Sequence, residues 1–303
     1  ADGKERVFIT GSNAKMLSSE IETTLGGRYL EKFVMPFSFS EYLAAREIQH
    51  DDIALETTKL RGIVAGACDQ YLHDGGFPES LLYHARREYL STVLQKIILG
   101  DIATRNQIRN PQALRLLIKK VAETVRSEVS FSKLYGAVKG IGISISKDTI
   151  IDYISYALDA YLLFRVPNYY TSFSDRESTP KYYFMDNGLL NLYLSDKNSA
   201  LLENLVAVDL YRNHPEQLFF AKSSSTGVDV DFLLPEHHTA IQVCVSLSDS
   251  SAEREISNLI RLHKASTEIT ELIIVTMEGN GVIDRDGCSI HVMPLVDFLL
   301  MKK

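Results

Sequence analysis

The stretch 227-GVDVDFLLPEHHTAIQVCVS-246 decides how the C-terminal half is read. Two apolar runs flank a short polar segment that begins with Pro235, the pattern of two strands joined by a turn. A strand alternates its side chains, so Asp229 and Asp231 share one face of the first run, and Gln242 and Cys244 share one face of the second. Glu236, His237 and His238 fall in the turn and read as exposed polar residues rather than metal ligands. Outward from the hairpin the pattern continues as α/β. An amphipathic helix (201-LLENLVAVDLYR-212) and a strand (217-QLFFAK-222) come before it. A helix (251-SAEREISNLIRLHKAS-266), a strand (271-ELIIVTM-277) and a strand–helix (289-SIHVMPLVDFLLMKK-303) come after.

Composition sets wide bounds. The 303 residues have room for two or three domains. The chain is 45% apolar and 23% charged, as an ordinary globular protein is. A net charge of -7 argues against a general nucleic-acid coat and leaves room for a local basic patch. Cys68, Cys244 and Cys288 are few and scattered, with neither disulfide nor zinc spacing. No run approaches a membrane span and no signal peptide precedes the body, so a reduced, soluble, cytoplasmic protein without a membrane partner is expected.

The middle of the chain is helical. Residues 51–110 are broken at 73-HDGGFPES-80, and Leu90, Val93, Leu94, Ile97 and Ile98 mark one apolar helix face. Residues 111–180 hold three helix candidates, with Ser130 and Ser146 placed as N-caps of the second and third. The runs 162-LLFRVPNYY-170 and 181-KYYFMD-186 are candidate wing strands, so the segment is similar to a winged helix-turn-helix. From Pro111 to Lys147, seven basic residues (Arg115, Lys119, Lys120, Arg126, Lys133, Lys139, Lys147) face two acids (Glu123, Glu128), a net of 7 − 2 = +5. The third helix opposes DNA reading: Asp148, Asp152 and Asp159 are unaccompanied by Lys or Arg through Phe164. Tyr153, Tyr156 and Tyr161, at helical spacing, read as core. At the N-terminus 6-RVFITGSN-13 reads as a strand, 14-AKMLSSEIETTLGGRYL-30 as a helix up to Gly26-Gly27, and 28-RYLEKFVMPFSFSEYL-43 as a strand ending at Pro36.

Together these segments resemble the portion from sensor 1 onward of prokaryotic AAA+-type ATPases that carry a C-terminal endonuclease-like domain. The resemblance rests on 7-VFITGSNAKMLSSEIETTLGGRYLEKFVMPFSFSEYLAA-45, 75-GGFPES-80, 182-YYFMDNGLLNLYL-194 and 201-LLENLVAVDLYR-212. It implies Asn13 and Arg28 as nucleotide-site residues, with ATP and Mg as cofactors of an intact parent. No G-x-x-x-x-G-K-[ST] occurs, and the resemblance puts that half upstream of Ala1, so the chain as given is expected not to hydrolyse ATP. The implied domains are the second half of an AAA+ core (1–50), a lid-like helical segment (51–110), a winged-helix-like module (111–180) and a restriction-endonuclease-like α/β domain (181–303).

In active enzymes of that nuclease superfamily a helix Glu, a strand Asp and a Glu-x-Lys hold Mg²⁺ and activate water. The resemblance carries these roles to Glu203, to Asp231 with Asp229 beside it, and to Gln242 and Cys244, with Asp231 and Glu203 as candidate metal ligands. The last two positions lack the carboxylate and the lysine, so a degenerate domain used for binding or assembly is expected. A protein partner or self-association is then implied. A metal-dependent nuclease using Glu203, Asp229 and Asp231, with a base displaced to Lys222, Arg254, Arg261 or Lys264, and a winged-helix DNA-binding protein remain the alternatives.

Overall fold

The structure, a computed structural model, describes residues 8, 30, 32–50, 57–195, 198–247 and 249–301. A helical body comes first: α1 (Phe39–Ala45), α2 (Thr58–Asp74), a 3-10 turn (Pro78–Leu82), α3 (Arg86–Gln95), a π-helical stretch (Lys96–Thr104), α4 (Pro111–Glu123), α5 (Phe131–Gly140) and α6 (Lys147–Asp159). A two-stranded ladder follows, β1 (Leu163–Val166) and β2 (Lys181–Phe184), with α7 (Phe173–Ser178) between them. Next come α8 (Asn187–Asn191) and α9 (Asn198–Asn213), and then a six-stranded sheet. Its strands are β3 (Phe219–Ser223), β4 (Val228–Leu234), β5 (Thr239–Val243), β6 (Glu271–Thr276), β7 (Gly281–Arg285) and β8 (Cys288–Pro294), with α10 (Asp249–Ala265) joining β5 to β6 and α11 (Leu295–Leu300) last.

Caps explain several helix starts. Ser38 and Glu41 form a reciprocal capping box on α1, the Ser38 hydroxyl accepting from the Glu41 amide and the Glu41 carboxylate from the Ser38 amide. Ser130 and Ser146 cap α5 and α6 as the sequence predicts, accepting from the amides of Lys133 at 3.2 Å and Thr149 at 3.0 Å. Asn110 caps α4 ahead of Pro111.

The sheet is mixed, in the order β3-β4-β5-β6-β8-β7. The β3–β4–β5 and β7–β8 pairings are antiparallel, and β5–β6 and β6–β8 are parallel. Both faces are covered, which accounts for its near-continuous apolar strands. One face packs through Phe220, Phe232, Ile241, Val243, Ile273 and Val275 into the core of the helical body. The other packs through Val230, Leu233, Ala240, Leu272 and Ile274 onto Ile256, Leu259 and Ile260 of α10. The larger core draws buried residues from both sides of 110/111 and of 180/181.

Two glycines, Gly76 in a loop and Gly188 at the start of α8, lock the helical body together. Asp186, fully buried, accepts from the amides of Gly76 at 2.7 Å and Leu189 at 3.2 Å. A Cβ on Gly76 would lie 2.3 Å from the Phe37 carbonyl oxygen, and one on Gly188 would lie 2.2 Å from that of Asp74. Only glycine permits this approach of backbone to backbone. Burial raises the Asp186 carboxyl to about 6, against the amides that favour its charge.

Four expectations are corrected. Residues 32–36 are not strand, and the Pro36 carbonyl accepts instead from the Arg212 side chain of α9. The face marked by Leu90, Val93, Leu94, Ile97 and Ile98 does not lie on one α-helix, because the helix that starts at Arg86 becomes π-helical at Lys96. Tyr161 is not on the third helix, which ends at Asp159; it sits at positive φ in the turn beyond, although Tyr153 is core. The sequence reading also lacks β7, whose exposed, weakly alternating GVIDR pairs with β8. The first expected strand is outside the described residues except for Phe8.

Candidate active site

α9 runs through the middle of the molecule, and every residue from Ala200 to Leu210 is buried. Asn204 acts as an extra rung for β2, its side chain accepting from the Phe184 amide at 2.8 Å and donating to the Phe184 carbonyl at 3.0 Å. That fixes the register between α9 and β2, and so aims Glu203 at the β2 face that carries Lys181 and Tyr183, two residues apart.

Asp231 arrives from the other side by way of a β-bulge. Between the pairs Ala221–Val230 and Phe219–Leu233, one residue of β3, Phe220, faces two of β4, Asp231 and Phe232. The bulge puts Phe232 on the same side as Asp231, toward the helical body, and returns Leu233 to the α10 side. The β4–β5 ladder stops at Phe232–Ile241. Where the strands part, side chains replace ladder bonds: the Asp231 carboxylate accepts from the Val243 amide at 3.1 Å, and the Gln242 side-chain oxygen accepts from the Asp231 amide at 2.6 Å.

Lys181 occupies the space between the two carboxylates. Its ammonium donates to Glu203 at 3.2 Å and to Asp231 at 3.2 Å, with the residue 4% exposed. Arg126, held at φ 83 in the turn after α4, donates to the second Glu203 oxygen at 2.8 Å, and the Tyr183 hydroxyl donates to the first at 2.8 Å. Two carboxylates therefore face two cations. Burial alone would lower Lys181, but the charges of Glu203 and Asp231 overcome it and hold the ammonium above the ordinary lysine value. Burial raises Glu203, with Asp231 adding to the rise, while Lys181, Arg126 and Tyr183 oppose it.

Gln242 is buried and bonded in a way that uses its amide. Its nitrogen donates to the Asp229 carbonyl at 3.3 Å and to the Glu255 carboxylate of α10, donations that a glutamate could not make. Glu255 is buried too, and Arg254 beside it is its ion partner. Burial pushes the Cys244 thiol up to about 11, with Glu255 contributing, which leaves negligible thiolate at neutral pH.

The structure thus brings Glu203 and Asp231 together, but Asp229 is exposed and Gln242 and Cys244 face α10. None of the lysines or arginines proposed as a displaced base contacts the carboxylate pair. Lys222 pairs with Glu128 at 2.9 Å, Arg254 with Glu255, Lys264 with Asp286 at 3.0 Å, and Arg261 donates to the Gly227 carbonyl at 3.2 Å. Of the contacting cations, Lys181 was read only as part of a candidate wing strand, and Arg126 only as one of the basic residues between Pro111 and Lys147. The Lys-x-Tyr alternation of β2 was a usable signal for the first. Glu236, His237 and His238 are exposed at the turn. Asn13 and Arg28 lie outside the described residues. Among the described residues no group of three or more His, Cys, Asp and Glu side chains is placed to hold a metal ion, and no helix is long and apolar enough to cross a membrane.

Relatives place the chain. It is 32% identical, over 98% of its length and 68% of the relative's, to the uncharacterized protein MJ1544 of Methanocaldococcus jannaschii. The chain belongs to the family of that protein. It is also 27% identical, over 97% of its length and 70% of the relative's, to an uncharacterized protein of Haemophilus influenzae. Residues 66–200 match a domain of unknown function, DUF8612, and residues 1–43 match an AAA domain. The family's N-terminal segment here is thus related to AAA-type ATPases. No solved structure matches the chain.

Proposed function

We propose that this chain is the non-catalytic, binding or assembly portion of an AAA-type ATPase, and that its endonuclease-like site has become an internal ion-pair network. The observation that carries this reading is the Lys181 ammonium, bonded to both Glu203 and Asp231. In a metal-dependent nuclease those two carboxylates would share a divalent cation that polarises phosphate and water. A second cation cannot enter the same gap without expelling the ammonium, and Arg126 already takes the outer oxygen of Glu203. With Gln242 and Cys244 at the remaining positions, neither a second metal carboxylate nor a basic group is presented there.

On this reading the network joins three separate parts of the chain, the turn after α4, β2 with α9, and β4. It would hold the sheet rigidly against the helical body. Rigid attachment suits a module that transmits or receives force from a neighbouring nucleotide-driven unit, or that docks a partner. ATP and Mg²⁺ belong to the intact ATPase, where Asn13 and Arg28 are the proposed nucleotide contacts. The module formed by α4–α6, β1 and β2 fits protein docking better than duplex reading, because the exposed residues of α6 include Asp148 and Asp152.

The test is incubation of the purified chain with supercoiled plasmid and Mg²⁺ or Mn²⁺, beside Asp231→Ala. Intact plasmid in every lane is the expected result. Cleavage by the wild-type chain that vanishes in Asp231→Ala would overturn the reading and install the nuclease in its place.

A further inference from the structure

A groove of about 1240 Å³ opens on the helical body, away from the carboxylate network. It lies between α3, α4 and the 3-10 turn at Pro78–Leu82. Five cationic side chains line it (Arg46, Arg86, Arg87, Arg115, Lys119) against two carboxylates, Asp74 and Glu88. The balance is 5 − 2 = +3, in a chain whose net charge is -7. Asp74 is already spent on Arg86 at 2.7 Å, and Arg87 caps the carbonyls of Asn191 and Leu192. Arg115 and Lys119 differ from these. They are exposed, lie one turn apart on α4, about 6 Å along its axis, and form no ion pair among the described residues. A positive potential concentrated in a concave wall selects an anionic occupant.

The aromatic rim narrows the choice. Tyr83 stacks on Tyr89 with ring centroids 4.6 Å apart and planes 13° from parallel. Tyr83 is still 51% exposed, and Leu82 beside it is 81% exposed. A tyrosine ring backed by a second ring is a rigid platform that leaves one π face open. A polyglutamate peptide offers charge but no aromatic ring for that face. A single nucleic-acid strand offers both phosphates and bases.

We propose that this groove binds single-stranded nucleic acid, with Arg115 and Lys119 on successive phosphates and Tyr83 stacking a base. The site is independent of the nuclease-like residues and of the acidic α6, and it requires no base sequence.

Fluorescence anisotropy of the full 303-residue chain with a labelled oligothymidylate of about twelve nucleotides, within the span of one single-strand site, tests this. Binding should weaken steeply between about 50 and about 200 mM salt. The double variant Arg115→Ala/Lys119→Ala should lose about tenfold or more in affinity. Its log–log salt slope should be shallower by about 1.4, two phosphate contacts at ~0.7 each. Tyr83→Ala should lose roughly 5- to 150-fold with the salt slope unchanged, the stacking of one base. Absence of binding, or binding unmoved by these variants, would overturn the proposal. So would displacement of the oligonucleotide by a polyglutamate peptide at equal affinity, which would make the groove a seat for an acidic protein.

Discussion

Lys181→Met removes the central cation while nearly keeping its length and volume. In the wild-type chain one ammonium satisfies two carboxylates, at 3.2 Å each, in a site from which water is largely excluded. Breaking a buried pair by deleting one partner costs about 3–5 kcal/mol, because the remaining charge is left desolvated. Arg126 and Tyr183 still hold Glu203 in the variant, so the lower part of that range, about 3–4 kcal/mol at pH 7, is expected. The loss should depend on pH. Burial already raises Glu203, and without Lys181 its folded-state value rises further. An acid raised in the folded state keeps its stability below the unfolded value and loses it as pH increases. The gap between wild type and variant should therefore be widest at pH 7 and narrow toward pH 4.5. Urea denaturation at the two pH values reads this directly. The shorter Lys181→Ala vacates the place between the carboxylates, so Mn²⁺ should stabilise that variant, by about 2.7 kcal/mol at a hundred times its dissociation constant, and leave the wild type unmoved. A loss below about 1 kcal/mol at pH 7, or equal stabilisation of both proteins by Mn²⁺, would refute the reasoning.

Other substitutions probe the surroundings. Gln242→Glu places a carboxylate where the proposed reading expects a second metal ligand, but removes two donated bonds and sets a charge beside Glu255. It should destabilise by about 2–4 kcal/mol at neutral pH and recover partly at pH 5, as denaturation midpoints would report. Gly188→Ala drives a Cβ to within 2.2 Å of the Asp74 carbonyl oxygen and should cost about 3 kcal/mol or more, readable as a lowered Tm. Asp186→Asn addresses a buried acid raised from 3.8 to about 6. Two units of raised pKa amount to about 3 kcal/mol, present at low pH and lost from wild type as pH climbs from 4 to 6. The stability gap between wild type and Asp186→Asn should shrink by that amount over the interval, and a gap that stays constant would remove the titration from Asp186.

Periodicity and capping in the sequence alone determined much of the architecture. The period-two runs at 228–234 and 239–243 form the antiparallel pair anticipated for them, and Ser130 and Ser146 start the helices they were expected to start. Glu203 and Asp231 were legible as a candidate pair through the resemblance, which implies a helix Glu and a strand Asp, and not through periodicity, since the helix that carries Glu203 is buried all round. The strand periods and caps are local properties, set by backbone geometry over a few residues. The partner of that pair was not local. Lys181 meets Glu203 across 22 residues and Asp231 across 50, and Arg126 meets Glu203 across 77. Such contacts depend on how α9 crosses β2 and on the one-residue bulge beside Asp231, which no repeat in the sequence marks. A lysine read as part of a wing strand therefore became, in three dimensions, the cation that fills the carboxylate pair. The groove follows the same logic: Tyr83 is unremarkable in its own segment, Arg115 and Lys119 were legible only as part of a basic stretch, and only the tertiary fold puts ring and charges on one wall.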